Sequence, residues 1–170
     1  MIRKVKVCLI GATAVGKSSL FARFVRSIFS EQYRTTIGVK IETRVVNRPD
    51  GTLELVVWDL SGEDEFQNVQ VGYLRGAGGY LLVIDGTRRE TKDVAGMLEE
   101  RVREALGAVP FVVVLNKTDR VDAWDLGPRE REAMIARGWS VVEASARTGD
   151  GVVEAFDALA DAILARPSWT

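Results

Sequence analysis

The sequence predicts an α/β fold in which a mostly parallel sheet carries helices on both faces. Short apolar segments typical of buried strands alternate with longer amphipathic segments along most of the chain. Two of the strands flank the turn signal Pro49-Asp50-Gly51, which favours a hairpin. Neither repeats nor low-complexity tracts interrupt the pattern. Because 170 residues suit one domain, we predict a single domain over residues 1–170.

The first half of the chain predicts three strands and one main helix. Val5, Val7 and Leu9 belong to a mostly buried strand, and a glycine-containing loop then leads into the amphipathic helix SSLFARFVRSIF. Residues 29–38 lack a clear period and are expected to form a loop. The segment VKIETRVVNRPDGTLELVVWDL supplies both hairpin strands, and residues 61–77 are expected to be mainly loop with a short helix.

The second half of the chain predicts strands and helices in strict alternation. The apolar segments GYLLVIDG, FVVVLN and WSVVEAS predict three further strands. Helices are expected over residues 90–106, ending at Gly107, over 128–137, and over 152–164 before Pro167. Ligands in such sheets bind beyond the carboxyl ends of the strands, so we expect the functional site in the loops that follow the strands.

The composition excludes several classes of function. A net charge of −1, from 23 basic and 24 acidic residues, gives no electrostatic basis for nucleic acid or an anionic membrane as the main partner. The single cysteine, Cys8, excludes an internal disulfide and fits a reducing compartment, so we expect a cytoplasmic protein. Apolar segments are too short to span a bilayer, and the C-terminal ARPSWT lacks a prenylation cysteine, so no direct membrane anchor is expected.

The octapeptide GATAVGKS fits the phosphate-binding pattern G-x-x-x-x-G-K-[ST], with a predicted strand before it and a helix after it. We expect backbone N–H groups and the positive end of the helix to cradle phosphates. Lys17 would add a positive charge near the terminal phosphates, and Ser18 would ligate Mg²⁺. The predicted phosphate-binding residues are Gly11, Thr13, Ala14, Val15, Gly16, Lys17, Ser18 and Ser19.

Two later loops point to guanine as the base. NKTD directly follows the strand FVVVL, and Asp119 would accept hydrogen bonds from N1–H and the 2-amino group of guanine, a donor pair that adenine lacks. EASAR follows the last strand, where the small Ala146 would let its N–H approach the guanine carbonyl oxygen. Asn116 would join the NKTD loop to the phosphate loop, Lys117 would lie along the base, and Ser145 would brace the EASAR loop. The predicted base-binding residues are Asn116, Lys117, Asp119, Ser145, Ala146 and Arg147.

GATAVGKS, TIG at residues 36–38, WDLSG at residues 58–62, NKTD and EASA together resemble the motifs of Ras superfamily small GTPases, Rab-like members in particular. The resemblance covers almost the whole chain. It implies a P-loop NTPase fold whose six-stranded sheet has one antiparallel edge strand, Mg²⁺ with GTP or GDP as ligands, and two switch loops that respond to the γ-phosphate. The compact length and missing lipidation cysteine favour a prokaryotic member.

The resemblance also assigns roles to residues in the switch segments. It implies that Thr36 ligates Mg²⁺ and senses the γ-phosphate, that Asp59 holds Mg²⁺, and that the Gly62 N–H contacts the γ-phosphate. Phe29 would pack on the guanine edge and Tyr33 would cover the phosphates. For both aromatic residues, packing against the preceding helix is the alternative.

Glu63 departs from the family, which usually carries glutamine there to orient the attacking water. A carboxylate can accept a hydrogen bond from water and act as a base, but it donates no hydrogen bond and repels the γ-phosphate. Either Glu63 assists hydrolysis or intrinsic hydrolysis is slow, and the charges favour the second outcome. The candidate catalytic residues are Lys17, Thr36, Gly62 and Glu63.

Other departures concern Thr13 and the arginines. Thr13 replaces a glycine of Ras proteins, and its β-branched side chain is expected to crowd the γ-phosphate region. Arg34, two residues before the expected metal ligand, is a candidate for an arginine that acts from within the chain. Arg88 and Arg89 are expected to be solvated.

The sequence therefore predicts a GTP-hydrolysing molecular switch whose two loops are read by effectors, a GTPase-activating protein and an exchange factor. The alternative is a GTP-binding module with negligible intrinsic hydrolysis, whose state is set by exchange. A P-loop kinase or ATPase is a third class, against which NKTD argues. A second copy could pair through the exposed antiparallel edge strand or the switch loops.

Overall fold

The structure is a computed structural model that describes residues 2–26, 39–60 and 71–166. Six strands are described in it: β1 (Arg3–Gly11), β2 (Lys40–Arg48), β3 (Gly51–Asp59), β4 (Ala77–Asp85), β5 (Phe111–Asn116) and β6 (Ser140–Glu143). The described α-helices are α1 (Lys17–Arg26), α2 (Val71–Leu74), α3 (Glu90–Leu106), α4 (Pro128–Ala136) and α5 (Val152–Leu164). Each strand and long helix lies where the sequence pattern predicts it, with boundaries that differ by a few residues.

The six strands form one sheet in the order β2-β3-β1-β4-β5-β6. The β2 and β3 strands pair antiparallel across the Pro49-Asp50-Gly51 turn, and every other neighbouring pair is parallel. The prediction of a mostly parallel sheet with one antiparallel edge strand is confirmed. The parallel strands therefore end at the same edge of the sheet, and the loops after β1, β3, β4, β5 and β6 meet there.

Two hydrophobic clusters cover the two faces of the sheet. In β1, Val7 and Leu9 face the cluster that includes α1 and α5, whereas Cys8 and Ile10 face the cluster that includes α3 and α4. All four side chains are at most 1% exposed, so this central strand is buried on both sides. Helices therefore pack on both faces, as predicted.

The local sequence explains the length of α3. Glu90 and Asp93 lie in its first turn, where the helix dipole favours negative charge. The helix stops at Gly107, whose φ of +78° suits glycine and whose N–H donates to the Arg103 carbonyl at 2.9 Å. One side of the helix is buried against the sheet through Ala95, Leu98 and Val102.

Within the described ranges, no helix combines the length and the apolar character needed to cross a membrane.

Candidate functional site

The phosphate loop, residues 11–18, runs from the last residue of β1 into the first turn of α1. Close contacts with neighbouring atoms require glycine at two positions of this loop. A Cβ atom on Gly11 would lie 2.4 Å from the carbonyl oxygen of Val83. Gly16 has φ of +105°, and a Cβ atom there would lie 2.2 Å from Asn116 Nδ2. The glycines thus let the loop pack directly against β4 and the start of the NKTD loop.

Side-chain donors hold the carbonyl groups of the phosphate loop. Five consecutive carbonyls accept hydrogen bonds from three separate segments: Lys17 Nζ donates to Gly11 (2.7 Å) and Ala12 (2.8 Å), Arg88 Nη1 to Thr13 (3.0 Å), Lys117 Nζ to Ala14 (3.1 Å) and Asn116 Nδ2 to Val15 (2.9 Å). These hydrogen bonds turn the loop carbonyl oxygens towards protein donors. The backbone N–H groups of the loop are then suited to bind an anion.

Lys17 is a buried cation, with 3% of its surface exposed. Burial lowers the pKa of Lys17 from its ordinary value of 10.5 to about 7, and the nearby Asp59 carboxylate opposes that shift. A phosphate beside the amine would favour its charged form, so the buried Lys17 suits a polyanionic ligand.

Ser18 and Asp59 bring together two oxygen groups suited to a magnesium ion. Asp59 is the last residue of β3, is 1% exposed, and accepts a hydrogen bond from Ser18 Oγ at 2.7 Å on its Oδ2. Hydroxyl and carboxylate oxygens are ligand types that Mg²⁺ prefers, directly or through water. The donor set at this point fits the predicted metal.

A cavity of about 230 Å³ lies beside the phosphate loop and is lined by most of the residues predicted to bind a base. It is lined by Gly16, Ser19, Asn116, Lys117, Asp119, Arg120, Ala146 and Arg147. Ser145 Oγ donates to Asp119 Oδ1 at 2.7 Å, and the Ala146 N–H donates to Asn116 Oδ1 at 3.2 Å. These bonds join the NKTD and EASAR loops. Larger cavities of about 440 and 510 Å³ lie elsewhere and contain none of the predicted site residues.

Asp85, the last residue of β4, is a part of the site that the sequence prediction missed. Its carboxylate is fully buried, with Lys117 Nζ 2.8 Å from Oδ2 and the Thr87 N–H and hydroxyl donating to Oδ1 at 2.8 and 2.6 Å. Burial alone would raise the pKa of the Asp85 carboxyl, but the bonds from Lys117 and Thr87 outweigh burial and hold the pKa below its ordinary value of 3.8. The signal in the sequence was an acid at the end of a buried strand.

Replacing Asp85 with asparagine is expected to reduce the acid sensitivity of folding. Because the pKa of the Asp85 carboxyl is lower in the folded state, its stabilisation is present above pH 3.8 and is lost as the pH falls through the lowered pKa. At pH 7 we expect Asp85→Asn to lower the free energy of unfolding by about 1–3 kcal/mol, with the gap to the parent closing as the pH falls below 3.8. Urea unfolding at several pH values measures this. The exposed Glu104→Gln is the control, and a gap that stays constant with pH would contradict the assignment.

The structure brings most of the predicted ligand-binding residues together at one edge of the sheet: Gly11, Thr13, Ala14, Val15, Gly16, Lys17, Ser18, Ser19, Asp59, Asn116, Lys117, Asp119, Ser145, Ala146 and Arg147. The other predicted site residues lie outside the described ranges: Phe29, Tyr33, Arg34, Thr36, Gly62 and Glu63.

The prediction of a solvated Arg88 was incomplete, since the side chain is 40% exposed but also has a partner in the protein. Arg88 is half-buried, and its guanidinium contacts the phosphate loop rather than water alone. A residue 75 positions away from Thr13 cannot be assigned to that loop from local sequence. Arg89 is exposed as predicted, and it pairs with Asp125 and Glu130.

Comparison with known proteins agrees with the geometry. Residues 6–165 match the model of the Ras family. The chain is 37% identical to Ras-related protein Rab11A of Lotus japonicus over 153 residues, which covers 89% of this chain and 68% of the relative. It is 35% identical to Ras-related protein RABA4b of Arabidopsis thaliana, covering 91% and 70%. It is 36% identical to human Ras-related protein Rab-25, covering 96% and 78%.

These relatives come from plants and a mammal, so they do not support the prediction of a prokaryotic member. The family model matches nearly the full chain, and the relatives are similar over at least 89% of it. Members of the family are GTPases that bind guanine nucleotides with Mg²⁺. The chain belongs to the Ras family of small GTPases and is similar to its Rab members.

Proposed function

We propose that the protein is a molecular switch that binds GTP, hydrolyses it to GDP, and presents different switch-loop conformations to effectors in the two states. The observation that carries this proposal is the junction of the phosphate loop with the base pocket. Asn116 donates to the Val15 carbonyl and accepts from the Ala146 N–H, so a single side chain links both parts. A ligand that combines a polyphosphate with guanine fits that arrangement. On this proposal residues 1–170 form one G domain.

Each group in the site has a role that its surroundings support. The loop N–H groups orient the phosphates, and Lys17 keeps a positive charge beside the terminal ones. Asp119, held by Ser145, selects guanine. Ser18 and Asp59, with Thr36, hold Mg²⁺, which when bound neutralises charge on the phosphates. Lys117 is held between the Ala14 carbonyl and Asp85, so its stem is ready to lie along the base.

Phe29 packing on the base, Tyr33 covering the phosphates and Gly62 contacting the γ-phosphate complete the proposed site. Regulators and effectors would read the switch loops. The outer edge strand β2 exposes Ile41 and Val45 by 47% and 49%, which supports pairing of this edge with a partner or a second copy.

Binding and single-turnover measurements test the proposal. With Mg²⁺ present, we expect affinity for GDP and GTP to exceed that for ADP and ATP by more than about 100-fold, since only guanine offers Asp119 its donor pair. Equal affinity for both bases would overturn the proposal.

The competing view is a GTP-binding module with negligible hydrolysis, and Glu63 is the reason to consider it. We expect slow single-turnover hydrolysis by the parent protein, because a carboxylate repels the γ-phosphate. Glu63→Gln is expected to hydrolyse GTP at least as fast. A much slower Glu63→Gln variant would instead make Glu63 an active participant, and a parent without turnover would favour the binding module.

A further inference from the structure

Arg88 contacts the phosphate loop from a part of the chain to which the predicted nucleotide site gave no role. Its Nη1 donates to the Thr13 carbonyl at 3.0 Å, and its Nε donates to Glu90 Oε1 at 3.2 Å. The guanidinium, on a side chain that is 40% exposed, therefore lies between the exposed Glu90 carboxylate and the loop. A charged donor makes a stronger hydrogen bond to a carbonyl than a neutral one.

The backbone from which Arg88 extends is firmly placed. The Arg88 N–H donates to the Asp85 carbonyl at 3.0 Å, and the Arg88 carbonyl accepts from the Thr91 N–H at 3.0 Å and its hydroxyl at 2.8 Å. Thr91 and Asp85 are both fully buried. Because this turn is fixed to the end of β4, the side chain reaches the phosphate loop from a rigid base.

The Thr13 carbonyl is bound by a different segment of the chain from the carbonyls on either side of it. The carbonyls of Ala14 and Val15 are bound by side chains that follow β5, and those of Gly11 and Ala12 by Lys17. The Thr13 carbonyl is instead bound by the loop after β4, although Thr13 itself is exposed. Loss of Arg88 would remove this bond between the part of the loop that Lys17 binds and the part that Asn116 and Lys117 bind.

We propose that Arg88 is a positioning residue for the phosphate loop. By holding the Thr13 carbonyl, Arg88 fixes the neighbouring peptide groups in the orientation that binds phosphate, and this prolongs the lifetime of the bound nucleotide. The inference rests on the proposed function. It assigns the nucleotide site a further supporting loop, the one after β4, and makes the retention of nucleotide depend on a side chain that lies outside the predicted motifs.

Nucleotide release from three variants tests this role. Arg88→Ala removes the donor, Arg88→Lys keeps a charged donor, and Arg89→Ala is the matched control because Arg89 pairs with Asp125 and Glu130. With Mg²⁺ and a fluorescent GDP chased by unlabelled GDP, we expect Arg88→Ala to release nucleotide about three- to tenfold faster than the parent. Arg88→Lys should recover part of that loss, and Arg89→Ala should stay within about twofold of the parent.

Salt and stability measurements separate positioning from two other effects. A long-range attraction between the arginine and the phosphates would be screened at about 1 M salt, whereas we expect the faster release by Arg88→Ala to persist there. The ³¹P resonances of bound GDP should shift in Arg88→Ala and not in Arg89→Ala. Thermal unfolding of both nucleotide-free variants should be alike, which a general structural defect would not allow.

The outcomes distinguish this inference from the proposed function. A parent protein that retains no GDP would overturn the proposed function itself. If the parent retains GDP and Arg88→Ala releases it at the rate of Arg89→Ala, the positioning role is overturned alone. Disappearance of the effect at high salt would likewise exclude positioning through Thr13. Should Arg88→Ala not fold, Arg88→Lys and Arg88→Met carry the same comparison, because methionine has no N–H donor, and release from Arg88→Met at the parental rate would reject the role.

Discussion

Asp119→Ala is expected to lower the affinity for GDP by about 10²- to 10⁴-fold and to remove most of the preference for guanine. In the proposed complex, the Asp119 carboxylate receives two hydrogen bonds from the base, and its Oδ1 is already oriented by Ser145 Oγ at 2.7 Å. Alanine would leave both base donors without this acceptor, at a cost of about 1.5–3 kcal/mol for each bond to the charged group.

Competition against fluorescent GDP by GDP, IDP and ADP measures this change. IDP keeps N1–H and the carbonyl oxygen but lacks the 2-amino group, so the parent should bind it more weakly than GDP, and Asp119→Ala should bind both alike. The exposed Asp122 in the following short 3-10 helix provides a matched control, and Asp122→Ala should behave as the parent. Continued discrimination between GDP and IDP by Asp119→Ala would show that another group reads the base.

Lys17→Met is expected to weaken nucleotide binding by about 10²- to 10³-fold while leaving the nucleotide-free protein as stable as the parent, or more stable by about 1 kcal/mol. Burial already disfavours the charged form of this lysine and lowers its pKa to about 7. Methionine preserves much of the apolar volume and removes the buried charge. The ammonium charge therefore contributes most with phosphate present, and loss of its hydrogen bonds to Gly11 and Ala12 offsets part of what is gained by removing a buried charge.

Two measurements on the same variant check this expectation. Isothermal titration with GDP gives the loss of affinity, and urea unfolding without nucleotide gives the stability. Lys4→Met, near the amino end of β1 and far along the strand from the phosphate loop, controls for the general loss of a positive charge. A large fall in the stability of nucleotide-free Lys17→Met would mean that Lys17 acts chiefly as a structural clamp on Gly11 and Ala12.

Most of the fold follows from local patterns. Val7 and Leu9 on one face of β1 and Cys8 and Ile10 on the other reflect a strand that is apolar on both sides, and such strands belong inside parallel sheets. The turn at Pro49-Asp50-Gly51 likewise predicts the antiparallel pair. The strand order β2-β3-β1-β4-β5-β6 has no comparable local signal, because it depends on pairings between distant segments.

The residues of the site likewise fall into those that local motifs predict and those that they do not. Gly16, Lys17 and Asp119 are predicted from motifs because backbone conformation and ligand chemistry restrict the residue types at those positions. Asp85 and Arg88 are not, because their roles arise only when β4 pairs beside β1 and brings its loop to Thr13 and Lys117. A charged residue after a strand has no distinguishing local pattern until its spatial neighbours are known.

The way in which the phosphate loop is held also has a consequence for the order of folding. Residues 11–18 are among the first to be synthesised, but two of the carbonyls in that stretch are bound by Asn116 and Lys117, about a hundred residues later. Closing so long a loop carries an entropic cost that only the assembled sheet offsets. The final shape of the phosphate loop must therefore await β5, so the ability to retain nucleotide reports that the chain has folded at least that far.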